Sequence, residues 1–175
     1  MDDLRYPIGP FQSVGRALST AERRALVEEI RTLPSAMRSA VGGLSDAQLD
    51  TPYREEGWTP RQVVHHVVDS HVNGYVRFKL VATEHLPLLR TYEQKEWAEL
   101  EDARTLPVEM SLSILDALHA RWVAFLALAS PEYFDRTLQY PGRGEATADL
   151  LLELYAWHGR HHTAHVTGLR KRRGW

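Results

Sequence analysis

The sequence predicts an all-α protein, a four-helix bundle, on three observations. Four stretches place apolar residues at helical spacing, and two of them open on capping boxes. Strand signals are scarce. The 175 residues suit a single domain with a real core, and four helices of ~20 residues account for roughly half of them.

In chain order, residues 1–18 read as an irregular arm, because Pro7, Gly9, Pro10 and Gly15 interrupt regular structure. The first helix begins at Ser19, where Ser19-Thr20-Ala21-Glu22 forms a capping box, and runs to Gly42-Gly43. Pro34 is expected to kink or interrupt it, since proline lacks the amide hydrogen of an inner helical turn. The second opens on Thr59-Pro60-Arg61-Gln62, a threonine cap with proline at the first helical position, and extends to about Glu84. The third spans Val108 to Ala129, with Leu112, Leu115, Leu118, Trp122, Phe125 and Leu126 at helical spacing. The fourth starts near Thr147 and ends in Arg170-Lys171-Arg172-Arg173, positive charge that suits the negative end of a helix dipole. The connection from about 85 to 107 is long for antiparallel neighbours. It has room for a short helix around Glu93–Leu100, or it carries the chain over the bundle so that helices two and three run parallel.

Composition narrows the function. A net charge of −2 leaves no electrostatic footprint of nucleic-acid binding, and the basic tail reads as a solvated helix end. There is no cysteine, which excludes disulfides, thiolate metal sites and a cysteine nucleophile; a metal would have to use His, Asp, Glu or water. No apolar run approaches the ~18 residues of a membrane span, and the acidic start lacks the apolar segment of a signal peptide. The expected setting is the cytoplasm. Gly-rich phosphate loops and a Gly-x-Ser-x-Gly elbow are both missing.

Nine histidines is a high count, and seven fall in two groups: His65, His66 and His71, then His158, His161, His162 and His165. On the fourth helix Leu151, Leu154, Tyr155, His158, His162, Val166 and Leu169 share one stripe, which faces a core. His158 and His162 stand four apart, the spacing by which one helix offers two imidazoles to one metal. His161 and His165 repeat the spacing toward the stripe's edge. The residue after His158 is Gly159, so the glutamate base of a zincin is missing. A third ligand has to come from the second helix, where His71 lies on the most apolar face and His66 shares a polar strip with Ser70, Asn73 and Arg77. Asp69 is a weaker carboxylate candidate. Periodicity favours His71, and an accessible polar mouth favours His66; residue pattern alone leaves both open. Trp58, Trp97, Trp122 and Trp157 read as core anchors.

The chain resembles the DinB/YfiT-like superfamily, most closely its YfiT branch of metal-dependent hydrolases. The resemblance rests on Tyr6-Pro7-Ile8-Gly9, on Leu49-Asp50-Thr51-Pro52-Tyr53-Arg54 and on the run from Gly57-Trp58-Thr59 to Arg77-Phe78-Lys79. It continues in Trp97-Ala98-Glu99-Leu100, His119-Ala120-Arg121-Trp122, and Tyr155-Ala156-Trp157-His158 through His162 to His165. It implies a four-helix bundle holding a zinc- or nickel-type ion. It also implies the ligands: the second histidine of the His65-His66 pair, with His158 and His162.

Three neutral imidazoles would leave an ion's charge unneutralised and a coordination position open, the make-up of a catalytic site. The first functional expectation is a hydrolase that activates water on the ion; the second is a thiol S-transferase, an activity the resemblance attaches to other branches. A bundle with a purely structural metal ranks third. Asn73 and Arg77, at +7 and +11 from His66, are candidates for substrate binding. Asp69 or Glu84 could act as general base, though nothing in the sequence places either beside the metal. A small-molecule substrate and a homodimer, with the arm at 1–18 in the contact, complete the expectations.

Overall fold

Local sequence opens each long helix. Ser19 caps α1 (Thr20–Val41), its hydroxyl accepting from Glu22 N–H while the Glu22 carboxylate accepts from the Ser19 amide. Ser45 with Gln48 and Thr59 with Gln62 repeat the arrangement at α2 (Asp46–Leu49) and α3 (Pro60–Thr83). Thr147 caps α7 (Ala148–Arg173), and α6 (Val108–Leu128) begins behind Pro107. The four expected long helices therefore stand within a residue or two of their sequence boundaries. The computed structural model describes residues 4–142 and 144–175.

Helices α1 and α3 each pack on both α6 and α7, so the consecutive pair α1 and α3 lies across a diagonal of the bundle. Hydrogen bonds fix the directions. Arg23 grips Asp149 at the start of α1 and α7, and Arg170 reaches the Ala40 carbonyl at their ends, so these two run parallel. His65 meets Ser111 and, further along both helices, His71 meets His119, so α3 and α6 are also parallel. The long connection does both things the sequence allows. It carries the chain back over the bundle, and it holds short helices α4 (Gln94–Ala98) and α5 (Glu101–Thr105).

Two local features bear on the sequence reading. Helix α1 runs unbroken through Pro34, which is buried. Proline removes the amide that would bond the Ile30 carbonyl four residues back. That carbonyl instead accepts from His119 Nδ1 at 2.5 Å, which offsets the lost bond. Before α7 the chain also makes a small hairpin, β1 (Thr137–Tyr140) against β2 (Gly144–Thr147), paired antiparallel from Thr137↔Thr147 to Tyr140↔Gly144. Four-residue strands are too short to show a clear alternation. By length and composition alone α6 could cross a membrane. It nevertheless carries Glu109, Asp116 and Arg121, and it buries Leu112, Leu115, Trp122 and Leu126 in the bundle.

The core has two apolar parts. One surrounds Phe78, Trp122, Leu151 and Tyr155; the other surrounds Met37, Val63, Val67 and Leu115. Between them lies a layer of histidines contributed by α3, α6 and α7.

Candidate metal centre

His66 comes from α3, and His158 and His162 come from successive turns of α7. One nitrogen from each lies within 4.8 Å of the others. The Nε2 atoms of His66 and His158 are 3.3 Å apart. Two nitrogens bonded to zinc at ~2.0–2.1 Å in tetrahedral geometry stand ~3.3 Å apart, so these donors fit a shared ion. The rings are also in the right protonation state. Burial first, and then the neighbouring His161, pushes the His66 pKa down to about 4. Burial likewise holds His158 and His162 well below the ordinary histidine value, with neighbouring histidines adding to the shift. At neutral pH all three offer lone pairs with no competing proton.

The remaining histidines divide by geometry. His71 Nε2 lies 3.1 Å from His158 Nδ1, against the edge of that ring remote from the His66 contact. It is thus placed behind the converging triad rather than within it. His65 is spent between Ser111 Oγ (2.7 Å) and the Leu106 carbonyl (3.1 Å), tying α3 to α6. His161 and His165 form a second close group with His162. Trp157 stacks on His161 at 4.4 Å and Tyr53 on His165 at 4.0 Å between ring centroids.

The triad opens into a cavity of about 1060 Å³. The N-terminal arm forms one side with Arg5, Tyr6 and Phe11, held along α7 where Ser13 Oγ and Val14 N–H donate to the Glu153 carboxylate. The loop before α3 forms another with Tyr53, Arg54 and Trp58, and Trp58 packs on His66 at 4.6 Å. Lys95 and Glu99 close the crossover side. Trp58 and Trp157 are therefore site walls and Trp97 is exposed, rather than the core anchors expected, while Trp122 is fully buried as expected. Helical periodicity could not find the arm and the loop. Their sequence signal is the aromatic–proline content of Tyr6-Pro7 and Pro52-Tyr53, in stretches that also carry the family resemblance.

Asn73 and Arg77 do not line this cavity. Arg77 is buried and spent: Nη1 donates to the Tyr155 hydroxyl at 2.7 Å and Nη2 to the Arg90 carbonyl at 2.9 Å. Asn73 Nδ2 donates to the Asp69 carbonyl one turn back. Asp69 also lies outside the cavity wall; burial, and then Asp102, raises its carboxyl pKa to about 6. Glu84 is exposed at the C-terminal cap of α3.

The sequence pattern of the DinB superfamily matches residues 29–166, a span that contains all three converging histidines. The chain belongs to the DinB superfamily. Its relatives include proteins of Bacillus cereus (strain B4264) and Bacillus mycoides (strain KBAB4). Each is 50% identical over 175 residues, all of both chains, and each is named as a candidate metal-dependent hydrolase. Among solved structures, YfiT from Bacillus subtilis superposes with a TM-score of 0.95 at 42% identity, covering 98% of each chain. YfiT is described as a probable metal-dependent hydrolase with an unusual four-helix bundle topology.

Proposed function

We propose that this protein is a metal-dependent hydrolase in which His66, His158 and His162 hold one divalent ion, zinc or nickel, at the wall of a cavity for a small-molecule substrate. The observation that carries this reading is the convergence of three neutral imidazoles on an open cavity, two of their nitrogens 3.3 Å apart. Imidazole suits zinc and nickel, and three protein ligands with an open side make a catalytic rather than a closed structural site. When bound, such an ion polarises a carbonyl or phosphoryl oxygen and lowers the pKa of water toward ~7. The chain's own part is to keep the three rings neutral by burial and to hold substrate against the aromatic walls. Arg5, Arg54 and Lys95 line it together with Glu56 and Glu99, so the wall offers charge of both signs to a polar substrate.

A second reading, metal-dependent thiol S-transfer, draws support from the cavity volume of about 1060 Å³, enough for a thiol and an electrophile together. The open side of the site speaks against a purely structural metal.

Protein produced without an affinity tag should carry close to one zinc or nickel per chain by elemental analysis. His66→Ala, His158→Ala and His162→Ala should each abolish retention, because two imidazoles hold such an ion poorly. Metal-free wild type, or retention by all three variants, refutes the reading. Turnover of esters and amides, against thiol-plus-electrophile pairs, separates the two activities.

A further inference from the structure

His71 and His119 sit behind the triad, 0% and 1% exposed, without access to the cavity. A buried imidazole needs partners for its nitrogens, and here the partners form a chain. His119 Nδ1 lies 2.5 Å from the Ile30 carbonyl oxygen, and His119 Nε2 lies 2.9 Å from His71 Nδ1. His71 Nε2 then lies 3.1 Å from His158 Nδ1. A carbonyl oxygen can only accept, so His119 carries its proton on Nδ1. Burial keeps the ring neutral, which leaves Nε2 to accept from His71 Nδ1–H. The same step follows at His71, which is fully buried with each nitrogen facing another histidine nitrogen: with its proton on Nδ1, its Nε2 accepts from His158 Nδ1–H. His158 is left with its lone pair on Nε2, the nitrogen 3.3 Å from His66 Nε2.

The polarity of the chain is set at Ile30, and Pro34 leaves that carbonyl without its in-helix donor, so that the His119 bond meets no competitor. A residue with an amide hydrogen at 34 would bond it within α1. A shorter chain of the same polarity serves the other α7 imidazole. His165 Nε2 lies 3.2 Å from the Arg5 carbonyl, and His165 Nδ1 lies 3.4 Å from His162 Nδ1, which frees His162 Nε2. We infer that Pro34, His119 and His71 form a positioning relay that holds His158 in its Nδ1–H tautomer and aims its Nε2 at the metal. Helix α1, which supplies no ligand, thereby helps set the affinity of the site. This inference rests on the three-histidine metal reading.

The test uses the full chain, with zinc affinity measured by competition with a chromophoric chelator. It adds imidazole nitrogen NMR of the metal-free wild type. His119→Leu, which ends the relay, should weaken zinc binding ~10–100-fold, the usual scale for losing a group that orients a metal-ligating histidine. His119→Gln should stay within ~3-fold of wild type, because its amide oxygen can accept from His71 while its NH₂ donates to Ile30. Pro34→Ala raises helix propensity yet offers Ile30 a competing amide, so it should lose affinity in the same direction as His119→Leu. A folded His119→Leu with wild-type affinity overturns the relay, and unchanged affinity in Pro34→Ala strikes the proline from it. NMR on the wild type decides even where a variant does not fold: a His158 proton on Nε2 overturns the inference. Wild type that binds no zinc refutes the metal reading itself, and the metal-free tautomer still reports on the relay separately.

Discussion

Gly74 is the tightest point in the wall behind the histidine layer, and replacing it by alanine tests whether that wall is rigid. A Cβ at 74 would stand 2.5 Å from both Cε1 and Cζ of Tyr155 and 2.8 Å from the Trp122 ring. Neither ring has room to retreat. Tyr155 accepts a hydrogen bond from Arg77 and is 2% exposed, and Trp122 is 0% exposed. Overpacking of this kind costs ~1–3 kcal/mol, and two stiff rings met at once place it at the upper end. Alanine in place of a mid-helix glycine returns ~1 kcal/mol of helix propensity. The net loss is ~1–2 kcal/mol, which for a chain of this length lowers Tm by ~2–8 °C. Gly159 provides the contrast. Its added Cβ would come within 2.6 Å of Leu33 Cδ2 and 2.9 Å of Cδ1, in a buried aliphatic side chain that can turn about two bonds where a ring wall cannot. Gly159→Ala should therefore fall within ~1 kcal/mol of wild type, the helix gain offsetting the adjustment. Thermal melts by circular dichroism on chelator-treated protein measure both. Gly74→Ala as stable as wild type, or Gly159→Ala the worse of the two, would show that the ring wall yields and that the reasoning is wrong.

Arg77→Met should cost ~1–3 kcal/mol by leaving the buried Tyr155 hydroxyl unpaired, while zinc stoichiometry stays unchanged; a loss of substrate affinity with stability intact would return Arg77 to the substrate-binding role. Acid should unfold the metal-free protein early: His66 and His119, at about 4 when folded against ~6.5 unfolded, take up protons on unfolding, and His71, His158 and His162 act in the same direction. Their stability is complete above pH ~6.5 and is lost as pH falls toward ~4, so urea midpoints that stay flat between pH 7 and 5 would contradict the burial argument. We propose a homodimer in solution; a monomeric mass by light scattering at tens of micromolar would refute it.

How far the fold and site can be read from sequence depends on whether the deciding interaction is local. Helix starts were legible because a capping box closes within four residues, so Ser19 with Glu22 and Thr59 with Gln62 speak for themselves. The choice between His66 and His71 was not, and α3 shows why. Its first half is buried nearly all round, from Pro60 to Val68, so a helical wheel cannot separate an inward face from an outward one. The two histidines differ little in burial, 3% against 0%, and differ entirely in which edge of His158 they meet. That difference belongs to the crossing of α3 over α7, which no periodicity encodes. Pro34 makes the complementary case. Its effect on α1 alone, a missing hydrogen bond, was predictable; that a histidine 85 residues later supplies the donor to Ile30 was not. Where a backbone group is orphaned inside a core, the sequence reports the deficit, and only packing reveals which side chain satisfies it. Here the side chain that does so is the one whose other nitrogen faces the candidate metal centre through His71.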